Sequence, residues 1–252
     1  MYVQKKVVNP QVCLESICCV TFAALMLYLV STGSYQSYVT PRMAPYFYFT
    51  SAVMALWALG GLFRLFRPRH RIRATHCFVL AIPALLLLLP HSPINSADLS
   101  GGYFISGAPS DLREDESASD LPGLDVNNRK IIVSNDDFGL WFFELYSNAD
   151  KYRGYTITMT GFVFKDPEIV KKDEFVPARL AMTCCVADLS PVGLLCEYDG
   201  ASGLKENSWV TVEGTIFTVK IKYDDGQGYD EPHISVTKII PALKADGYIY
   251  PY

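Results

Sequence analysis

Acidic side chains are almost absent from the first third of the chain. Residues 1–90 contain 8 Lys and Arg but a single acidic residue, Glu15, whereas residues 91–252 contain 25 Asp and Glu against 14 Lys and Arg. The first part is therefore basic and apolar, and the second part is acidic and polar. An acidic domain repels phosphate backbones, so we expect no nucleic-acid partner for the second part.

The chain also lacks the short motifs that identify common enzyme classes. It contains no glycine-rich phosphate loop and no serine elbow motif. Asp166 and Glu168 stand in one loop without a neighbouring histidine or nucleophile, which gives general acid–base chemistry little support. Seven cysteines spread over both parts do not form a dense disulfide framework. We therefore expect a protein that is not an enzyme.

Three apolar runs predict membrane-spanning helices at about residues 12–30, 44–66 and 74–90. The first two are long enough to cross a hydrocarbon core of roughly 30 Å at about 1.5 Å per residue. The third run is shorter and contains Pro83, so an interfacial or re-entrant segment is the alternative for it. For the first run the alternative is a cleaved signal peptide with a basic start.

Basic residues predict how these spans are oriented. The connection between the second and third runs carries five arginines, whereas the connection between the first and second carries only Arg42. Basic connections remain in the cytoplasm, which places the residues after about 90 on the outer face of the cell membrane. The prediction is a multi-pass protein with membrane lipid as a partner and an extracytoplasmic C-terminal domain.

Residues 91–129 are rich in Ser, Gly, Pro and Asp, and this composition predicts a flexible linker before a domain at 130–252. Early in that domain, large apolar residues recur at three- and four-residue spacing, at Phe138, Trp141, Phe142 and Leu145. This spacing predicts one amphipathic helix of about three turns. We expect its aromatic face to cover one end of a sheet.

Segments with period-two alternation predict five β-strands after this helix. They lie at about 155–165, 175–185, 193–198, 209–222 and 233–240. Gly161 and Gly214 interrupt the first and fourth strands and indicate bulges or sharp bends. Five short strands with such bends suit a closed, OB-like barrel, and an open sandwich is the alternative. The aromatic tail, with tyrosines at 248, 250 and 252, is expected to pack on the barrel or approach the membrane interface.

Three of the seven cysteines lie within thirteen residues, at Cys184, Cys185 and Cys196. Thiolates and imidazole suit zinc and copper, so these cysteines form a candidate metal site that Asp188 or His233 would complete. Adjacent cysteines can bind one ion only where the backbone turns. The sequence predicts a turn directly after them.

Other interpretations of this cluster remain open. A domain outside the cell permits a structural disulfide from Cys184 or Cys185 to Cys196. The adjacent pair can also be redox-active, which would make the protein a thiol oxidoreductase, or all three can be ordinary structural thiols. Arg179, five residues before Cys184, is expected to pair with Asp188 or to bind an anionic ligand.

Several stretches together carry a resemblance to a known family. They are GYTITMTGFVFKDPE, VPARLAMTCCVADLSPVGLL, SWVTVEGTI and the terminal YIYPY. Over most of its length the chain resembles the YcgQ-like family of uncharacterised bacterial membrane proteins. This resemblance implies a hydrophobic N-terminal region, a β-rich outer domain and a genomic partnership with a YcgR-like predicted permease. It also implies, for some members, an association with metal-handling genes.

We therefore expect a membrane-anchored accessory subunit of a permease or transport complex. Its outer domain would bind a partner or a small ligand, and its spans would dock with a multi-span permease. The alternative is a protein that binds zinc or copper through Cys184, Cys185 and Cys196 and handles or delivers that metal.

Overall fold

The computed structural model describes residues 8–66, 78–88, 121–166, 170–222 and 228–250. The chain divides into two compact units, with the boundary between Pro93 and Ile94. Within the described residues, the first unit is helical and the second contains a β-sheet with one α-helix.

The first unit is a helical hairpin followed by a shorter helix. Helix α1 spans Pro10–Ser31, α2 spans Ala44–Leu62 and α3 spans Phe78–Leu88. Asn9 caps α1, because its side-chain oxygen accepts a hydrogen bond from the backbone N–H of Gln11 at 3.1 Å. The backbone N–H of Asn9 donates to the carbonyl of Leu65, so the start of α1 lies beside the end of α2.

Among the residues that the structure describes, α1 alone is long and apolar enough to cross a membrane by length and composition. Its position near the N-terminus is compatible with a membrane anchor or a signal sequence. Helix α2 has 19 residues, and α3 has 11 with Pro83 inside it. The predicted span at 74–90 extends beyond the described residues at both ends. Within the described residues, helix length and composition therefore support one of the three predicted spans, which is the first.

The second unit is organised by one eight-stranded sheet. Its strands are β1 Leu124–Asp125, β2 Lys130–Ile132, β3 Thr156–Phe164, β4 Glu174–Ala181, β5 Ser190–Val192, β6 Leu195–Glu197, β7 Trp209–Lys222 and β8 Gly228–Pro241. Five of them pair in the order β3, β7, β8, β6 and β4, and β4 pairs again with β3. This last pairing closes a five-stranded barrel, as predicted from the sequence. Residues 223–227, between β7 and β8, lie outside the described residues.

Helix α4, Phe138–Ser147, fills one end of this barrel. All four large apolar residues predicted for its inner face are buried in the same cluster as the inward-facing strand residues. The indole N–H of Trp141 donates to the carbonyl of Pro122 at 2.8 Å, which satisfies the one polar atom of that side chain. Burying an aromatic side chain of this kind contributes roughly 1.5–3 kcal/mol. The predicted amphipathic helix and its role as a cover are confirmed.

The start of the barrel unit differs from the predicted linker. Within residues 121–129, strand β1 pairs antiparallel with β2, and β2 runs parallel to β3 with Ile131 fully buried. The linker prediction is wrong over these nine residues, because a polar segment needs few apolar side chains when it pairs along a sheet edge. The remainder of the predicted linker lies outside the described residues.

Both strand glycines permit a close approach between backbones. The pairing of β7 with β8 shifts between Glu213 and Gly214, which is the irregularity predicted there, and a Cβ on Gly214 would lie 2.5 Å from the carbonyl oxygen of Ser235. A Cβ on Gly161 would collide with the backbone carbonyl carbon of Pro177. At this point β3 ends its pairing with β7 and begins its pairing with β4. Gly161 is therefore required for barrel closure.

Replacing Gly161 by alanine should destabilise the barrel, because the added methyl group meets backbone atoms that cannot rotate away. Overpacking costs about 1–3 kcal/mol, and a clash with backbone belongs at the upper end of that range. A loss of this size lowers the melting temperature by roughly 4–10 °C, which thermal unfolding followed by circular dichroism measures. Gly203→Ala is the control, because a Cβ there meets no atom within 4 Å. Equal melting temperatures for the two variants would contradict the closure argument.

Candidate functional site

The adjacent cysteines lie in the loop that joins β4 to β5. Strand β4 ends at Ala181, and a short 3₁₀ turn at Val186–Asp188 precedes β5. Strand β5 folds back antiparallel onto β4, with Ala181 opposite Ser190. The predicted second strand is thus too long at its C-terminal end, because the chain turns before the cysteines. Both thiols are thereby released from the strict alternation of a strand.

Asp188 organises this loop, which we call the cysteine loop, residues 182–189. Its carboxylate accepts hydrogen bonds from the backbone N–H groups of Thr183 at 2.9 Å, Cys184 at 2.7 Å and Cys185 at 3.2 Å. A carboxylate that reaches back to N–H groups at the start of its own turn acts as a cap, with a charged acceptor. The loop is therefore ordered by its own residues.

The same carboxylate controls the ionisation of the nearer thiol. Hydrogen bonding to Asp188, followed by hydrogen bonding to Cys185, raises the pKa of Cys184 to about 11. Partial burial raises the pKa of Asp188, but hydrogen bonds from the Cys184 thiol and the loop N–H groups outweigh burial and leave this pKa below its ordinary value. At neutral pH, Cys184 is thus a thiol beside a carboxylate. Reactive cysteines have a lowered thiol pKa, so the redox interpretation loses support.

Three potential metal ligands meet in the cysteine loop. The sulfur atoms of Cys184 and Cys185 and a carboxylate oxygen of Asp188 all lie within 4.8 Å of one another. In the part of the chain that the structure describes, no other set of three His, Cys, Asp or Glu side chains meets this condition. Zinc binds sulfur at about 2.3 Å, so a single ion fits between these atoms. Cys184 is exposed and the other two are half-buried, so an ion can reach them.

The structure does not bring Cys196 and His233 to the cysteine loop. Cys196 is fully buried on β6 opposite Ile234, inside the barrel, and burial raises the pKa of its thiol well above the ordinary value. His233 lies opposite Leu195, one position before Ile234 on β8, and therefore faces the other side of the sheet. The two predicted ligands thus face opposite sides of the sheet, and neither joins the group of three.

His233 has a partner that was not predicted from the sequence. Its Nε2 lies 3.1 Å from the Oε2 of Glu231, and its ring packs edge-on against Phe217 at 5.5 Å between centroids. Its Nδ1 is buried and has no hydrogen-bond partner. Glu231 and His233 are two residues apart on one strand, so their side chains lie on the same face. This spacing could have predicted their contact.

The predicted disulfide is absent. All six cysteines within the described residues are free thiols, including Cys184, Cys185 and Cys196. The reason is positional: Cys196 lies in the barrel core, whereas the adjacent pair lies in a loop beyond the end of β4. Cys77 lies outside the described residues.

Arg179 does not pair with Asp188, contrary to the expectation. Its guanidinium donates hydrogen bonds to the backbone carbonyl of Asp246 at 3.1 Å and to Oδ1 of Asn135 at 3.4 Å. The oxygens of Asp188 are bonded to loop N–H groups instead. Arg179 therefore connects β4 to the segment before α4 and to the C-terminal tail.

The surroundings of Arg179 also exclude the predicted anionic ligand. The guanidinium carbon lies 5.6 Å from the ring centre of Phe138 and 5.5 Å from that of Trp209, and the residue is only 2% exposed. Burial lowers the pKa of Arg179, whereas the nearby carboxylates of Asp136 and Asp246 raise it. A ligand in solution has no access to this side chain in the folded barrel.

The C-terminal tail forms the second support of the cysteine loop. The backbone N–H of Ile249 donates to the carbonyl of Leu180, and the N–H of Met182 donates to the carbonyl of Ile249, both at 2.8 Å. Ile249 itself is buried in the barrel core, and Tyr248 and Tyr250 are half-buried. The described part of the tail packs on the barrel as expected, chiefly through Ile249, and Tyr252 lies outside the described residues. These two backbone hydrogen bonds from the tail hold Leu180 and Met182 in place, directly before Thr183.

Family models match both units of the chain. The model described as the DUF1980 C-terminal domain matches residues 110–251, and the model described as the DUF1980 N-terminal domain matches residues 14–104. The chain belongs to the DUF1980 family. It is similar to UPF0703 protein YcgQ from Bacillus subtilis (strain 168), with 29% identity over 90 residues. This match covers 36% of the chain and 31% of the relative, and with the two DUF1980 domains it confirms the resemblance to a YcgQ-like family.

Replacing Asp188 by asparagine should make Cys184 more reactive. The amide weakens the hydrogen bond that holds the proton on the Cys184 thiol and also removes a nearby negative charge, so the pKa of Cys184 should fall from about 11 toward the ordinary value of 9.0. A thiol of the higher pKa is about 0.1% ionised at pH 8, and one of the lower pKa about 10%. We expect alkylation of Cys184 at pH 8 to become at least about 10-fold faster, as read by mass spectrometry of the peptide after iodoacetamide.

Thr183→Ala is the matched control for this experiment. Its side chain is exposed, and its backbone N–H remains available to Asp188. The Thr183→Ala variant should therefore keep the parent pH profile. Identical pH profiles for Asp188→Asn and the parent would contradict the assigned role of the carboxylate.

Proposed function

We propose that the barrel binds a metal ion at the cysteine loop and that the protein handles or delivers this metal. The observation that supports this proposal is the convergence of two sulfur atoms and one carboxylate oxygen within 4.8 Å in an accessible loop. These donors are ones that zinc and copper sites use, with thiolate favouring the softer ions.

The position of the loop favours metal handling over a structural metal. Structural zinc sites are closed by four protein ligands, whereas three donors converge here within the described residues and Cys184 is exposed. The barrel core is complete without an ion, since core residues such as Ile157 and Val212 are fully buried. A metal can therefore enter and leave without loss of the fold.

Preorganisation of the loop supports the same proposal. Asp188 fixes the backbone at Thr183, Cys184 and Cys185, and the tail fixes Met182 just before them. A loop that is already ordered loses little conformational entropy when it binds, and this increases affinity. The two adjacent thiols are thus held near each other before an ion arrives.

Replacing both Cys184 and Cys185 by serine should remove one metal equivalent from the full-length protein. Serine keeps the size and much of the hydrogen bonding of cysteine but is a poor ligand for soft metals. After separate incubations with zinc and with copper and removal of the excess, inductively coupled plasma mass spectrometry gives the bound metal, and the equivalent should be lost for at least one of the two metals. Thr183→Ala, in the same loop, should retain the parent content. An unchanged content of both metals in the double variant would remove this proposal.

The helical unit supports a second candidate function. The structure describes 22 large apolar side chains that are exposed, and 18 of them lie in this unit. On α2, Phe49 is 69% exposed, Leu56 68% and Trp57 69%. Water-soluble surfaces rarely expose apolar area on this scale, whereas a bilayer covers it. We propose that this unit inserts in the bacterial cell membrane as a multi-pass region in contact with lipid.

In this second candidate the protein is an accessory subunit of a permease or transport complex. The basic connection after α2 stays in the cytoplasm, so the barrel lies outside the cell. The barrel strands, numbered along the chain, close in the order 1-2-3-5-4, the connectivity of an OB-like barrel, a fold that binds ligands through its face and loops. The helices would dock with a multi-span permease and the barrel would present its ligand.

Purification of the tagged full-length protein in mild detergent should recover a multi-span permease, because the apolar helix faces provide the docking surface. A chimera in which residues 1–93 are replaced by one unrelated apolar helix should lose at least about 90% of the recovered permease, as measured by quantitative mass spectrometry. The Cys184→Ser/Cys185→Ser variant is the control and should retain the partner, since its helices are unchanged. Equal recovery with the chimera would contradict docking through the helices.

A further inference from the structure

We infer that the ion bound at the cysteine loop is copper in its Cu(I) state. The sulfur atoms of Cys184 and Cys185 hold it, and Asp188 organises the loop without coordinating the ion. This inference rests on the metal-binding function proposed above and names the ligand of that site.

The hydrogen bonds of Asp188 argue against its use as a ligand. One oxygen accepts the N–H of Thr183, and the other accepts the N–H groups of Cys184 and Cys185. Moving this carboxylate onto an ion would release the contacts that fold the loop and place the two thiols together. Asp188 is therefore a positioning residue for the pair of sulfur atoms.

No further protein ligand is in place to complete a four-coordinate site. Within the described residues, Cys196 is enclosed in the core, and His233 lies on β8, where it contacts Glu231 of the same strand. Met182, the first residue of the cysteine loop, also contains sulfur, but its side chain is fully buried. Zinc prefers four tetrahedral ligands, and calcium and magnesium prefer six or more oxygen atoms. The loop offers two sulfur atoms.

Two thiolates suit Cu(I), because this ion is soft, prefers sulfur and is stable with two ligands. Binding is written as Cu⁺ + 2 RSH → [Cu(SR)₂]⁻ + 2 H⁺, in which each thiol loses its proton and no electron is transferred. Cys184 is exposed and Cys185 is half-buried, so one side of the ion remains open. A third thiolate from a donor or acceptor protein can enter from that side.

The test is an anaerobic titration of the detergent-solubilised full-length protein. Cu(I) is titrated against bicinchoninic acid, and zinc is titrated separately against a chromophoric zinc indicator. The parent should bind one Cu(I) more than Cys184→Ser/Cys185→Ser, and the two should bind equal amounts of zinc. Each single serine variant should lose at least about 100-fold in Cu(I) affinity, because the second sulfur atom is lost. The cysteines of the helical unit are present in both proteins, so any Cu(I) that they bind cancels when the amount bound by the double variant is subtracted from that of the parent.

Asp188→Asn separates a positioning role from coordination. It keeps one carbonyl acceptor for the loop N–H groups and lowers the pKa of Cys184, so Cu(I) affinity at neutral pH should equal or exceed that of the parent, and Thr183→Ala should equal the parent. X-ray absorption of the copper-loaded protein should show two sulfur atoms and no oxygen. Matching circular dichroism melts for parent and variants ensure that the comparison is made between folded proteins.

Two outcomes would overturn the inference in different ways. Binding of zinc in place of copper, with an oxygen in the first shell and loss in Asp188→Asn, would contradict the copper assignment and leave the metal-binding function standing. No difference in either metal between the parent and the double serine variant would contradict both.

Discussion

Pairing of β3 with β4 is the contact on which the rest of the barrel unit depends. It closes the barrel. It also requires glycine at position 161, because the two backbones lie so close there that an added methyl group would clash with the backbone of Pro177. Pro177 lies between the residues of β4 that pair with β6 and those that pair with β5, so its missing N–H interrupts no continuous ladder on that side. The position at which β4 ends, and hence the place of the cysteine loop, follows from this closure.

A single carboxylate gives the loop both its shape and its chemistry. Asp188 orders three backbone N–H groups, and its hydrogen bond with the Cys184 thiol raises the pKa of Cys184 and keeps it protonated at neutral pH. A metal at the proposed site would therefore have to displace a proton that is firmly held, and its affinity would rise with pH up to the pKa of that thiol. The raised pKa also makes Cys184 a poor nucleophile near neutral pH.

The barrel could be predicted from the sequence because strand alternation and the positions of Gly161 and Gly214 are local signals. The contacts made by Cys196 and Arg179, in contrast, could not be predicted from the sequence. Whether Cys196 faces the core depends on its register with Ile234, and the partner of Arg179 lies 67 residues away at Asp246. Such pairings are fixed by strand order. The cluster of adjacent cysteines with Asp188 was predictable because it lies within one turn, where sequence distance and spatial distance agree.

The cysteine loop lies outside the main apolar cluster of the barrel, so the barrel can carry this loop with little loss of stability. The large apolar cluster includes Cys196 and Ile249 but no residue from 182 to 189, so the ligands contribute nothing to the packing of the barrel. Loops on a rigid scaffold can change their chemistry while the scaffold keeps its stability. The tail contacts both parts, because Asp246 accepts a hydrogen bond from Arg179 and Ile249 bonds to Leu180 and Met182. Since Ile249 also packs in the barrel core, the start of the cysteine loop is anchored to the scaffold.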